Sequence, residues 1–120
     1  MTIKVVYSEN IPLKQFVALT LWPWIIVRQD QREKFTATAL RHESTHANQQ
    51  IECLFAMFLI IYCLEWLVKI CLCGFDADRA YRSISFEQEA YEHQDEFGYN
   101  NVRRHFAWCR YIFTLKTKEL

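Results

Sequence analysis

The sequence predicts a helix-dominated α+β fold, in which a short N-terminal β-hairpin or small sheet packs on a helix carrying paired histidines and on a second helix carrying glutamates. Three observations predict it. The β-branched and aromatic runs that read as strands all fall before residue 29. Only two Gly and two Pro in 120 residues force few turns, which favours long helices over a many-stranded sheet. Hydrophobic residues at 52% and aromatics at 16% supply a core and exclude disorder. At this length, residues 1–120 form one domain. The 14 basic residues balance 14 acidic ones, so no global field draws in nucleic acid.

Ile3 to Tyr7, Phe16 to Leu21 and Trp24 to Arg28 are the strand candidates, the second and third pairing around Trp22-Pro23. The N-terminus has no sustained apolar stretch and carries Glu9, which is unlike a secretory signal. Two helix starts follow: Asp30-Gln31-Arg32-Glu33 as a capping box and Thr36 as a plain cap. With no Gly or Pro before Gly74, a helix from Thr36 would run roughly 57 Å at 1.5 Å per residue. A compact chain of this length has a radius of gyration near ~13.6 Å. A break is therefore expected around residues 48–55.

That first helix contains His42-Glu43-x-x-His46. Residues four apart share a helix face, so the two imidazoles can aim at one ion, each about 2.0–2.1 Å from it. Glu43 then stands beside the ion rather than on it, where a carboxylate can take the proton of a water that the ion acidifies. A third protein ligand is required. Downstream, Ser85 to His93 has helix signals and acids at helical spacing, with Ser85 as cap and Gln88 at the capping-box position.

His-Glu-x-x-His followed by a helix reading Glu87-x-x-Ala90 resembles the pattern of gluzincin metallopeptidases. Gln49-Gln50-x-Glu52, together with Tyr81-Arg82-Ser83-Ile84-Ser85-Phe86-Glu87-Gln88-Glu89-Ala90-Tyr91, is similar to a family of small gut-bacterial proteins regarded as minimal gluzincins. The likeness extends from about Ile11 to Arg110. It implies a minimal zincin-like fold, a Zn2+ ion held by His42, His46 and Glu87, and hydrolysis of peptide bonds with Glu43 as general base. Ala90 would be the small residue that lets the helices approach, and the hairpin would hold an extended substrate by strand addition. Tyr91 stands where the family often has Asp or Asn. Glu89 competes with Glu87 for the ion if the helix is rotated. Tyr81, Tyr91, His93 and His105 are the candidates for the donor that stabilises an oxyanion.

Cys53 to Leu64 is a charge-free run, short of the ~20 residues that span a bilayer, and Glu65 and Lys69 beyond it can pair at i,i+4. The run reads as a core helix. Because it is apolar all the way round, residues 53–73 are also the place for a homodimer or membrane-surface contact. Five cysteines without a disulfide-framework spacing read as reduced thiols in a cytoplasmic protein, membrane-associated if that run meets lipid. The second motif helix is expected to end near Phe97-Gly98, with Gly98 as the residue after its cap. A turn at Asn100-Asn101, an amphipathic closing element over Val102 to Thr114 and a solvated tail from Lys116 to Leu120 complete the chain. The alternative to a peptidase is a non-catalytic, zinc-stabilised interaction or membrane-associated module.

Overall fold

In a computed structural model, residues 3–12 and 16–116 are described. Strands β1 (Lys4–Ser8), β2 (Ala18–Leu21) and β3 (Trp24–Arg28) form a three-stranded sheet in the order β1-β3-β2. The expected hairpin joins β2 and β3 antiparallel, with Leu21 opposite Trp24, while β1 lies parallel to β3 on its other side. Alternation decides which face of β3 is covered: Ile25 and Val27 are fully buried and Trp24 is exposed. β2 is left as an edge strand.

A 3-10 turn, Gln29–Lys34, takes up the first of the two helix starts. Asp30 does not cap a helix there, because its carboxylate accepts from Nε and Nη2 of buried Arg28, both at 3.0 Å. Thr36 is the working cap. Its hydroxyl accepts from the Ala39 N–H and opens α1 (Ala37–Glu52). The expected break comes at Cys53-Leu54, where Leu54 turns into the left-handed region with φ +51° before α2 (Phe55–Leu72). The reversal keeps the radius of gyration at 14.1 Å.

The core-helix expectation holds for one face of α2 only. Phe58 and Lys69 are its buried residues, and by length and composition its 18 residues, with a mean hydropathy of 2.1, suffice to cross a membrane. Lys69 meets Glu65 at 2.7 Å, as the i,i+4 spacing predicts. Both turn inward.

Asp76 caps α3 (Ala77–Ser83), accepting from the Arg79 N–H at 3.1 Å. The helix that follows, α4 (Ser85–His93), corrects two expectations. Ser85 is its first residue rather than its cap, and the amide and hydroxyl of Ser85 both donate to the Glu65 carboxylate, at 2.7 and 2.6 Å. Gln88 does not reach back to the helix start; its amide donates to the carbonyls of Ser83 (2.7 Å) and Thr114 (3.0 Å). A carboxylate from α2 therefore does the capping that local sequence seemed to supply. α4 also ends at His93, before Gly98, whose φ of +76° opens the short helix α5 (Tyr99–Val102) containing Asn100 and Asn101. The closing element is a 3-10 turn, Ala107–Tyr111, which buries Trp108. Of the tail, only Lys116 belongs to the described residues, and its N–H donates to the Ser83 hydroxyl at 2.9 Å.

Cys53, Phe58, Ile84, Phe86 and Trp108 make the core, with the Phe86 ring 4.4 Å from Phe58 and 4.5 Å from Trp108. Phe86 thereby ties α4 to α2 and to the C-terminal turn. Its neighbour in sequence, Glu87, is aimed at α1.

Candidate metal centre

On α1 the four-residue spacing puts His42 and His46 on one face, and α4 packs against that face with Ala90 fully buried. Nε2 of His42, Nε2 of His46 and Oε1 of Glu87 form a triangle with every side 3.2 Å. An ion held tetrahedrally at about 2.0–2.1 Å would separate its ligand atoms by roughly 3.3–3.4 Å. The three side chains thus lie close enough to hold a metal ion, and among the described residues they are the group that does. All three are buried.

Hydrogen bonds behind the ligands decide which atoms face the gap. Nδ1 of His46 lies 2.8 Å from Oε1 of Gln49. The orientation of that amide is pinned, because its nitrogen donates to the Phe86 carbonyl (3.1 Å) and to Oε1 of Glu89 (2.8 Å). Nδ1 of His46 is therefore a donor to Gln49, and Nε2 is the nitrogen left facing the gap. Nδ1 of His42 lies 2.9 Å from Oε1 of Gln94. Tyr62 donates to Oε2 of Glu87 at 2.7 Å, occupying the carboxylate oxygen that does not face the histidines. Three acceptor atoms converging at 3.2 Å repel one another unless a cation or a proton sits among them, so the donor set fits a divalent ion with nitrogen and oxygen preferences.

The electrostatics agree. Burial disfavours charge on His46, yet the Glu87 carboxylate outweighs it and raises the imidazole to about 9. Burial likewise works against ionised Glu87, but His46 and the bonds from both histidines hold its carboxyl well below the usual range. Glu43 differs: burial is the largest influence on it and raises its proton affinity. Its Oε2 stands 4.0 Å from Nε2 of His42, outside the triangle, and Thr20 on β2 donates to its Oε1 at 2.9 Å.

Glu43, His46 and Glu87 border a cavity of about 350 Å³ walled by β2 on one side and by Phe58, Leu59, Tyr62 and Trp66 on the other. Tyr81 also lines it. Of the other oxyanion candidates, Tyr91 packs edge-on against the His42 ring with centroids 4.5 Å apart. His93 stacks on Tyr99 at 4.0 Å and pairs with Glu96, and the His105 side chain is 90% exposed beside Glu52. Neither lines the cavity.

The structure brings Glu87, and not Glu89, to the histidines. Glu89 is fully buried on another side of α4, where it accepts from Tyr99 (2.6 Å), from Gln49 and from Nε (2.7 Å) and Nη2 (2.8 Å) of Arg103. Arg103 in turn binds Glu52 through Nη1 at 3.0 Å and Nη2 at 3.1 Å. Gln49, Gln50 and Glu52 thus each acquire a separate task. Gln50 clamps the edge strand, donating to the Thr20 carbonyl and accepting from the Trp22 N–H, both at 2.7 Å.

Reading the sequence missed Tyr62 and Thr20, placed Gln94 on the inward stripe of the second helix without a role, and assigned Gln49 none. Gln49 carried a signal, since i+3 from His46 is one helical turn. Tyr62 carried a weaker one, as the hydroxyl within the charge-free run Cys53–Leu64. Nothing local marks Thr20. Set against known protein families, curated proteins and solved structures, the chain matches none.

Proposed function

We propose that the protein is a zinc-dependent metallopeptidase, with His42, His46 and Glu87 as ligands and Glu43 as the proton acceptor. One observation carries the reading: a carboxylate outside the ligand triangle faces the same cavity as His46 and Glu87. A centre that only braces two helices needs no such group and closes its remaining position with protein. When bound, zinc supplies a Lewis acid that polarises a carbonyl and makes water a readier proton donor.

The chain's own residues do the rest. Glu43 takes the proton of the attacking water and returns it to the departing amine, a task suited to a carboxyl whose proton affinity burial has raised. The Thr20 hydroxyl holds Oε1, so that Oε2 is the working oxygen. Tyr81, in the cavity wall, is our candidate for the donor to the oxyanion. β2 supports an extended peptide through the outward groups of Ala18 and the Thr20 N–H, since Gln50 already occupies the Thr20 carbonyl and the Trp22 N–H.

The test is to digest a broad peptide pool with parent and Glu43→Gln protein at matched zinc content. The expected result is cleavage by the parent and a loss of ~10²–10⁴ in rate for the variant, with zinc retained. Equal cleavage by both refutes the role of Glu43. Absence of cleavage by either, with zinc bound, assigns the centre to bracing α1 against α4.

A further inference from the structure

Every exposed side chain of α2 is uncharged. The outward side chains are large: Ile60 is 53% exposed, Leu64 59%, Leu67 62%, Val68 57% and Leu72 62%. At 100° per residue, nine of the eleven exposed positions fall within an arc of about 180° bounded by Leu59 and Val68, with Phe55 and Leu72 just outside it. The arc continues beyond α2, because Leu64, Val68 and Leu72 share a groove with Phe113 and Leu115, which are 97% and 38% exposed. A contiguous apolar surface of this extent on a soluble domain marks a contact with lipid or protein.

We infer that α2 seats the protein on the surface of a lipid bilayer, with the helix axis in the membrane plane and the outward arc embedded. Two features select lipid over a second copy. A helix pairing with a helix covers a stripe of roughly 100°, so α2 against α2 would leave much of the arc in water, whereas acyl chains cover all of it. The 18 residues also have a mean hydropathy of 2.1, enough by length and composition for a bilayer segment, and the protein buries only 11% of them, unlike a core helix.

A third feature selects lying over spanning. The inward stripe carries Glu65 and Lys69, whose bonds to Ser85 and to the Ser83 carbonyl hold the start of α4. Surrounding α2 with lipid would strip that pair from its partners, at the cost of burying two charges in hydrocarbon. With the helix in the plane, the arc sinks about 5–10 Å, to the acyl boundary, and the pair stays inside the protein. Leu59, 40% exposed, belongs both to the rim of the arc and to the wall of the cavity, which brings the metal centre to the membrane edge.

The experiment is flotation of the full chain with extruded phosphatidylcholine vesicles, and no step of it depends on peptidase activity. The parent is expected to float with the vesicles. The triple variant Ile60→Ser, Leu64→Ser, Leu67→Ser should partition at least ~100-fold less while still unfolding cooperatively, because these side chains are more than half exposed. Labelling of the parent gives a second readout. Cys63 and Cys71 are exposed on the arc, so their reaction with a water-soluble maleimide should slow as vesicles are added and not as protein concentration rises. Parent protein that stays with the soluble fraction, a triple variant that floats like the parent, or thiol protection that follows protein concentration alone each overturns the inference.

Discussion

Tyr62 of α2 donates its hydroxyl proton to Oε2 of Glu87 across 2.7 Å, which leaves Oε1 as the oxygen that faces His42 and His46. The apolar helix thus reaches the metal centre through one phenol. Tyr62→Phe keeps the ring packed near Phe58 and Phe86 while freeing the carboxylate to rotate. Metal affinity should weaken by ~10–100-fold with little loss of folding stability, measured by competition with a chromophoric chelator. Unchanged affinity would mean that packing alone orients Glu87.

Glu87 and Glu89 separate by function. Glu87→Gln removes a ligand and should abolish stoichiometric metal binding in elemental analysis. Glu89→Gln should keep the metal and instead lower stability by roughly 1.5–3 kcal/mol in denaturant unfolding, because Arg103 loses a charged acceptor while keeping Glu52. The reverse pattern would move the third ligand to Glu89.

The two amides behind the histidines differ in how far their effects spread. Gln94→Ala removes the acceptor for His42 and should weaken metal binding by ~10–100-fold with stability nearly intact. Gln49→Ala should weaken it comparably and also destabilise the metal-free fold by about 1–3 kcal/mol, since the buried Glu89 and the Phe86 carbonyl lose a donor. Equal stability losses in the two variants would contradict the network drawn from Gln49 to Arg103.

In chelated protein, the His46 proton is held to about 9 by Glu87. A pKa raised in the folded state stabilises it fully below the unfolded value, near ~6.5, and that contribution disappears as pH rises through about 9. The melting temperature of chelated protein should therefore fall between these pH values. Metal binding displaces the same proton, so affinity should rise over that interval by up to ~10-fold per pH unit. Thermal melts with and without chelator check both signs, and a gap between the two curves that narrows toward pH 9 would refute the coupling.

The break between α1 and α2 and the strand positions were legible because periodicity, caps and chain length act locally. Leu54 lies inside the interval in which a helix from Thr36 had to stop. So were the two histidines, since the helix alone sets their spacing. The choice of Glu87 over Glu89 was not, because it depends on the rotation of α4, and packing of Phe86 between Phe58 and Trp108 sets that rotation. The cap of α4 followed the same logic: a local Ser85 signal gave way to Glu65 from a different helix, since a buried carboxylate paired with Lys69 satisfies both the amide and the hydroxyl.

The sequence by itself determined which side chains could bind an ion, for that is a matter of chemistry and helical spacing. Only the tertiary structure decided which of them meet and what stands behind them. Thr20, Gln50, Tyr62 and Gln94 lie 20 or more residues from the partners they hold, and no local pattern encodes a contact made by packing strands and helices together.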